Sequence, residues 1–193
     1  MIDDPGAFAL SAGPLLLRPW LAEDAPALIE AHRDPTMRAM LLTRITDGPE
    51  AEQWLREQQR GRESGSRFGF AVVDRDHGGV LVGNVALKYP GHGPGSDSAE
   101  VGYWTTAPAR GRGIAPLALG ALGDWAFEAF AGDGLTRLEL VHQGDNKASC
   151  RVAEKSGYEF AEVLPARPPW PGEGHRHVRL RAGDARRTGK VLA

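Results

Sequence analysis

Between residues 99 and 129 a strand, a turn carrying two glycines and a long amphipathic helix follow one another without a break. This segment constrains the fold more than any other in the chain. Ala99-Glu100-Val101-Gly102-Tyr103-Trp104 reads as a strand and runs through Thr105-Thr106-Ala107-Pro108-Ala109 into Arg110-Gly111-Arg112-Gly113-Ile114-Ala115. Ile114, Leu117, Ala118, Ala121, Leu122, Trp125, Ala126 and Ala129 then recur at i, i+3, i+4 and i+7, the period of a helix with one apolar face. Pro116 lies in its first turn, where a missing N–H breaks no helical bond. The first amides of a helix have no internal acceptor, and the helix dipole adds partial positive charge there. Gly111 and Gly113, lacking a Cβ, let the backbone curl closely around an anion, and Arg110 and Arg112 add charge beside it. A pyrophosphate suits such a place.

The kind of pyrophosphate is narrowed by what the turn lacks. No Gly-Lys-Ser or Gly-Lys-Thr closes it, as a P-loop requires. A dinucleotide fold wants its glycine fingerprint directly after an early strand, whereas this turn lies past the midpoint, behind what reads as an antiparallel sheet. Leu15–Arg18 reads as a first short strand, and Pro26–His32, Pro35–Leu42 and Pro49–Glu63 as three helices. Phe68–Val73 and Val80–Tyr89 read as a hairpin, and Pro90–Gly95 as a loop. Leu135–Val141 is another strand, followed by a helix opening at Asp145-Asn146-Lys147-Ala148-Ser149 and closing at Gly157, then a strand from Tyr158 to Val163.

At 193 residues, the chain fits one domain spanning 1–193, with residues 1–13 expected as a flexible leader and 183–193 as a flexible tail. Its one cysteine, Cys150, excludes a disulfide framework, and no set of metal-ligand spacings is evident, so no metal is expected. Cys150 reads as a small buried filler rather than a nucleophile, since no His-Asp arrangement of matching logic surrounds it. The acidic start lacks the basic-then-apolar order of a signal peptide, and no apolar run approaches a bilayer span, so the expected location is cytoplasmic. A net charge of −2 argues against general nucleic-acid binding. The basic run His175–Lys190 reads either as a solvated edge strand with a tail or as an attraction for an anionic ligand.

Arg110-x-x-Gly113-x-Ala115 resembles the (Gln/Arg)-x-x-Gly-x-(Gly/Ala) signature of the GNAT superfamily of N-acetyltransferases. Asn146–Tyr158 resembles its second motif, down to Glu154-Lys155-Ser156-Gly157-Tyr158, and with Ala99–Trp104 the likeness is to the RimJ/RimL branch, known for acetylating α-amines of ribosomal proteins. The resemblance implies a mixed α/β fold: a twisted, mainly antiparallel sheet of six or seven strands, a parallel pair splayed at its centre, and helices on both faces. It implies acetyl-CoA as cosubstrate, bound by Tyr103, Trp104, Thr105, Thr106, Arg110, Gly111, Arg112, Gly113, Ile114, Ala115, Asn146 and Ser149. The pantetheine arm would pair with backbone groups of Trp104–Thr106, and an N–H near Tyr103 or Trp104 would hold the thioester oxyanion. An acceptor amine would attack directly in a ternary complex.

Glu100 is the candidate base, acting through water, because it shares a strand face with Gly102 and Trp104; an ordinary surface or ion-paired carboxylate is the competing reading, and Asp97 is a lesser candidate. Many relatives carry a tyrosine acid in the second-motif helix, but Ala153 occupies that position here, which leaves Ser149 as the candidate acid or a plain capping residue. Asn146 is open in the same way, to pantetheine or to a cap. The acceptor is a protein N-terminus or a small-molecule amine, selected by the helices between Arg33 and Gly61 and by the loop Pro165–Gly174, where Trp170 either lines a pocket or pins the loop. A homodimer is left open. So is a non-catalytic acyl-CoA sensor on the same fold.

Overall fold

The computed structural model describes residues 9–89, 95–168 and 172–183. Trp170, the loop at 90–94 and most of the expected leader and tail lie outside the described residues. Eight strands form a single sheet in the order β1-β2-β3-β4-β5-β6-β8-β7: β1 Leu10–Ala12, β2 Leu15–Pro19, β3 Arg67–Asp74, β4 Val80–Lys88, β5 Ser98–Thr105, β6 Arg137–Gln143, β7 Glu159–Leu164 and β8 Gly174–Leu180. All neighbouring pairs are antiparallel except β5 and β6. The sequence leads one to expect six or seven strands and a flexible segment through residue 13. The additional strand is β1, which folds back on β2 through a tight turn at Gly13, so residues 10–12 belong to the sheet rather than to a leader.

Helices α1 (Ala25–His32), α2 (Pro35–Met40) and α3 (Gly48–Glu63) lie on one side of the sheet, and α4 (Ile114–Ala129) and α5 (Lys147–Lys155) on the other. Strand parity explains the division. Ala99 and Val101 of β5 join Leu119, Leu122 and Ala126 of α4 in the larger core, while Trp104 packs with Leu28, Ala51 and Trp54 in the smaller. Trp20 sits between Trp54 (4.9 Å, edge-on) and Trp104 (6.0 Å), which anchors α3 to the middle of the sheet. Leu122 is fully buried at the centre of the α4 face. Leu122→Ala is expected to lower stability by about 2–5 kcal/mol, read as a reduced urea midpoint with an unchanged slope. A loss below about 1 kcal/mol would contradict the close packing described.

Two helix starts place the site. Asp34 caps α2, its carboxylate accepting from the Thr36 amide (3.1 Å). Asn146 caps α5 in the same way, accepting from the Ser149 amide (3.1 Å).

Candidate functional site

The parallel pair β5–β6 is registered from Ser98↔Arg137 to Val101↔Leu140 and has no paired residues beyond. From Gly102 to Thr105, β5 remains bonded to β4 on one side while its other edge opens away from β6. Backbone donors and acceptors along that edge are free to pair with an extended ligand.

Two depressions meet at this opening. The first, about 390 Å³, runs from the Arg110–Pro116 turn past Tyr103, Trp104 and Thr105 to Asn146 and Ser149. The second, about 460 Å³, lies toward α1 and α3 and is lined by His32, Asn84, Lys88, Glu100 and Gly102 among others. They share Tyr103, Trp104, Asn146 and Ser149, with Met40 and Leu41 from the end of α2.

At the head of the first groove Gly111 and Gly113 adopt φ of +75° and +78°, and a Cβ built on either meets no atom within 4 Å. The turn is therefore an open cradle, not a packed corner. Leu117 donates to the Gly113 carbonyl (3.3 Å), and the α4 amides ahead of it, including Ile114 and Ala115, belong to the unpaired set at a helix start. An anion fits there on backbone geometry alone.

The arginines of the turn behave differently from the sequence expectation. Arg110 lines the groove but is ion-paired with Asp34. Burial pushes the Asp34 carboxyl up, yet the Arg110 and Thr36 hydrogen bonds together hold it below its ordinary value. Arg112 is absent from the groove lining: it donates to Asp74 Oδ2 (2.6 Å) beside His77, whose hydrogen bond does most to depress Asp74. These pairs brace the turn against α2 and against the β3–β4 connection. The Thr106 amide (3.0 Å) and hydroxyl (3.4 Å) both donate to the Val82 carbonyl.

At the junction, Ser149 is nearly buried and its Oγ lies 2.9 Å from the Tyr103 hydroxyl. Burial raises the Tyr103 pKa, and the bond to Ser149 offsets only part of that, so the phenol stays protonated at neutral pH. Asn146, besides capping, directs its Nδ2 to Met40 Sδ (2.9 Å), closing α2 onto α5. On the opposite face Glu100 is ion-paired with Lys88 (2.7 Å), the competing reading of that residue, although it still faces the second pocket. Asp97 stands away from both pockets, its carbonyl accepting from Thr136 and Arg137.

Sequence reasoning missed three side chains. Tyr103 enters the sequence expectation only through its backbone, in the acetyl-CoA set, and not through its hydroxyl, which parity places on the face opposite Glu100. His32 is 4% exposed, its ring edge-on to Trp104 at 6.0 Å, and its Nε2 is without a partner among the described residues. Burial lowers its pKa, keeping the imidazole neutral. Asn84, also buried, accepts from Trp20 Nε1 (3.0 Å) and faces the same pocket.

A splayed parallel pair, an anion cradle at the head of one groove and a second pocket entering at the same point define an enzyme that brings two substrates together for group transfer. The profile of the family described as "Acetyltransferase (GNAT) domain" matches residues 14–159; the chain belongs to that family and is an acetyl-CoA-dependent N-acetyltransferase. Among solved structures it is similar to a provisionally named ribosomal-protein-serine acetyltransferase from Vibrio cholerae: 26% identity, TM-score 0.77, over 90% of this chain and 98% of that one. RimL, a ribosomal α-N-protein acetyltransferase solved with coenzyme A, matches at 19% identity and TM-score 0.77, over 89% and 97% of the two chains. Mycobacterium smegmatis RimJ, solved with a CoA disulfide, matches at 20% identity and TM-score 0.74, over 89% and 85%. The comparison with curated proteins found no match. No helix among the described residues is long and apolar enough to cross a membrane.

Proposed function

We propose that the chain transfers the acetyl group of acetyl-CoA to the α-amine of a protein N-terminus. The observation that carries this reading is the meeting of the two pockets at Tyr103, Trp104 and Ser149. Acetyl-CoA lies in the first groove, its pyrophosphate on the amides of Gly111–Ala115 and its pantetheine along the open edge of β5 from Gly102 to Thr105. The acceptor enters through the second pocket. The amine attacks the thioester carbonyl carbon, a β5 amide near Tyr103 or Trp104 holds the oxyanion, and the intermediate collapses by breaking the C–S bond. Ser149 gives its proton to the departing thiolate and recovers one from Tyr103, the hydrogen bond between them being already in place.

The amine's proton leaves by water to Glu100. Glu100 is engaged by Lys88 and reaches the amine only through water, so the acceptor that suits the site best is already partly neutral. An α-amine, with a pKa of about 7.7–8.0, meets that condition, whereas a lysine side chain near 10.4 does not. The ribosomal α-amine acceptors of the RimL relative are of the same kind.

His32 supports a second reading of the base, because its neutral imidazole lines the same pocket and its buried Nε2 has no partner among the described residues. The two are separated by acetylation of an N-terminal peptide by Glu100→Gln and His32→Gln. With Glu100 as base, Glu100→Gln lowers kcat about 100-fold and leaves acetyl-CoA affinity unchanged, while His32→Gln retains most activity. If the loss falls on His32→Gln instead, and the acid limb of the rate lies below 6.5, the base is the imidazole. Equal acetylation of a lysine peptide with a blocked N-terminus would overturn the choice of acceptor.

A further inference from the structure

We propose that His142, Cys150, His175 and His177 form a site for a borderline-soft divalent cation, zinc(II) first, which ties α5 to β6 and β8. One ligand atom from each residue lies within 4.8 Å of all the others. The strands dictate the arrangement: His142 faces His175 across the β6–β8 ladder, and His177, two residues along, shares the same sheet face. Cys150 descends from α5 and brings its Sγ within 3.4 Å of His175 Nδ1.

A second, independent observation is that the rings are left wanting partners. His177 is 1% exposed, and among the described residues neither of its ring nitrogens has a well-formed hydrogen bond, the Tyr158 carbonyl approaching without closing one. His142 Nδ1 lies 2.8 Å from the Gln143 carbonyl, which fixes the tautomer with a lone pair on Nε2; that Nε2 is buried and has no partner among the described residues. Buried ring nitrogens are ordinarily paired, and two rings of one cluster breaking that rule point to a common occupant.

The donor set names the cation class. Three imidazole nitrogens and one thiolate suit a tetrahedral zinc centre, and the set lacks the carboxylates that calcium or magnesium would want. Ligand atoms around tetrahedral zinc stand roughly 3.5 Å apart, so the widest pair closes by about 1 Å, within reach of side-chain rotation. Coordination transfers the Cys150 thiol proton to solvent. The Phe160 ring stands edge-on to His175 (5.3 Å) and His177 (5.6 Å), shielding the centre on the β7 side. Because Cys150 follows Ser149 directly and α5 begins at the Asn146 cap, the cation would fix the helix that carries both groove residues. Its role is positional: none of the four ligands touches the reacting atoms.

The test titrates the metal-free, reduced full-length chain with cobalt(II), a spectroscopic stand-in for zinc(II). One equivalent should bind with the intense visible bands of a tetrahedral centre and a thiolate-to-cobalt band in the near ultraviolet, and zinc(II) should erase both. Cys150→Ser should lose the near-ultraviolet band, and His142→Asn, which leaves buried His177 untouched, should weaken binding about 10- to 100-fold. Unfolding midpoints of the metal-free variants, expected close to the parent's, show that the fold survives. Failure of the parent chain to bind either metal, or an unchanged cobalt spectrum in Cys150→Ser, overturns the site.

Discussion

Replacing Gly113 with valine is expected to weaken acetyl-CoA binding at least 100-fold while leaving the protein folded. The residue holds φ at +78° as the cap of α4, a region that a β-branched side chain enters at a cost of about 1–2 kcal/mol. That sum is tolerable for a domain of this size, and a Cβ there meets no protein atom within 4 Å, so no core contact is lost. The space it fills is the cradle. A side chain over the first amides of α4 keeps the pyrophosphate from its hydrogen bonds, and a 100-fold loss corresponds to about 2.8 kcal/mol of binding. Calorimetric titration of the parent and the variant with acetyl-CoA, beside urea midpoints for both, separates affinity from stability. Unchanged affinity would mean that the phosphates bind elsewhere.

The second large effect is expected at Ser149. Ser149→Ala should lower kcat by about 100- to 1,000-fold with acetyl-CoA affinity within a factor of a few, because the hydroxyl acts as the thiolate leaves and not when the thioester binds. The backbone is unaffected: the Asn146 cap engages the Ser149 amide, not its hydroxyl. Tyr103→Phe should lower kcat about 10-fold, since Ser149 can still give up its proton but recovers one less readily. A Ser149→Ala enzyme that turns over normally would reduce the serine to a filler beside Tyr103, and the acid would have to be sought among the other groups of the junction.

The parts of the fold that local pattern controls were readable from the chain. β5 spans Ser98–Thr105 and α4 spans Ile114–Ala129, where alternation and the helical period are strongest and a glycine turn divides them. β1 was not readable: three residues hold no period, and the strand exists because β2 is there to pair with it. The backbone of the candidate site was legible for the same reason as α4, since two glycines before a helix specify a cradle wherever the chain goes. Its side chains were not. Arg110 and Arg112 stand two positions apart in the motif, yet their carboxylate partners, Asp34 and Asp74, come from distant segments. Parity could put Tyr103 and Glu100 on opposite faces, but only the crossover that lays α5 beside α4, over β7 and β8, sets Ser149 against the phenol. The histidines next to Cys150 were unreadable as a group because β6 and β8 become neighbours only in the sheet.

The proposed acetyl transfer depends on acetyl-CoA occupying the groove between the Arg110–Ala115 turn and the open edge of β5. The most direct test is the unfolding temperature of the chain with acetyl-CoA, with ATP and NAD as controls. At about 100 times the dissociation constant, binding should add roughly 2.7 kcal/mol, a rise of several degrees, with no comparable rise from ATP or NAD. No shift at saturating acetyl-CoA, or an equal shift from all three, would contradict the assignment of the groove.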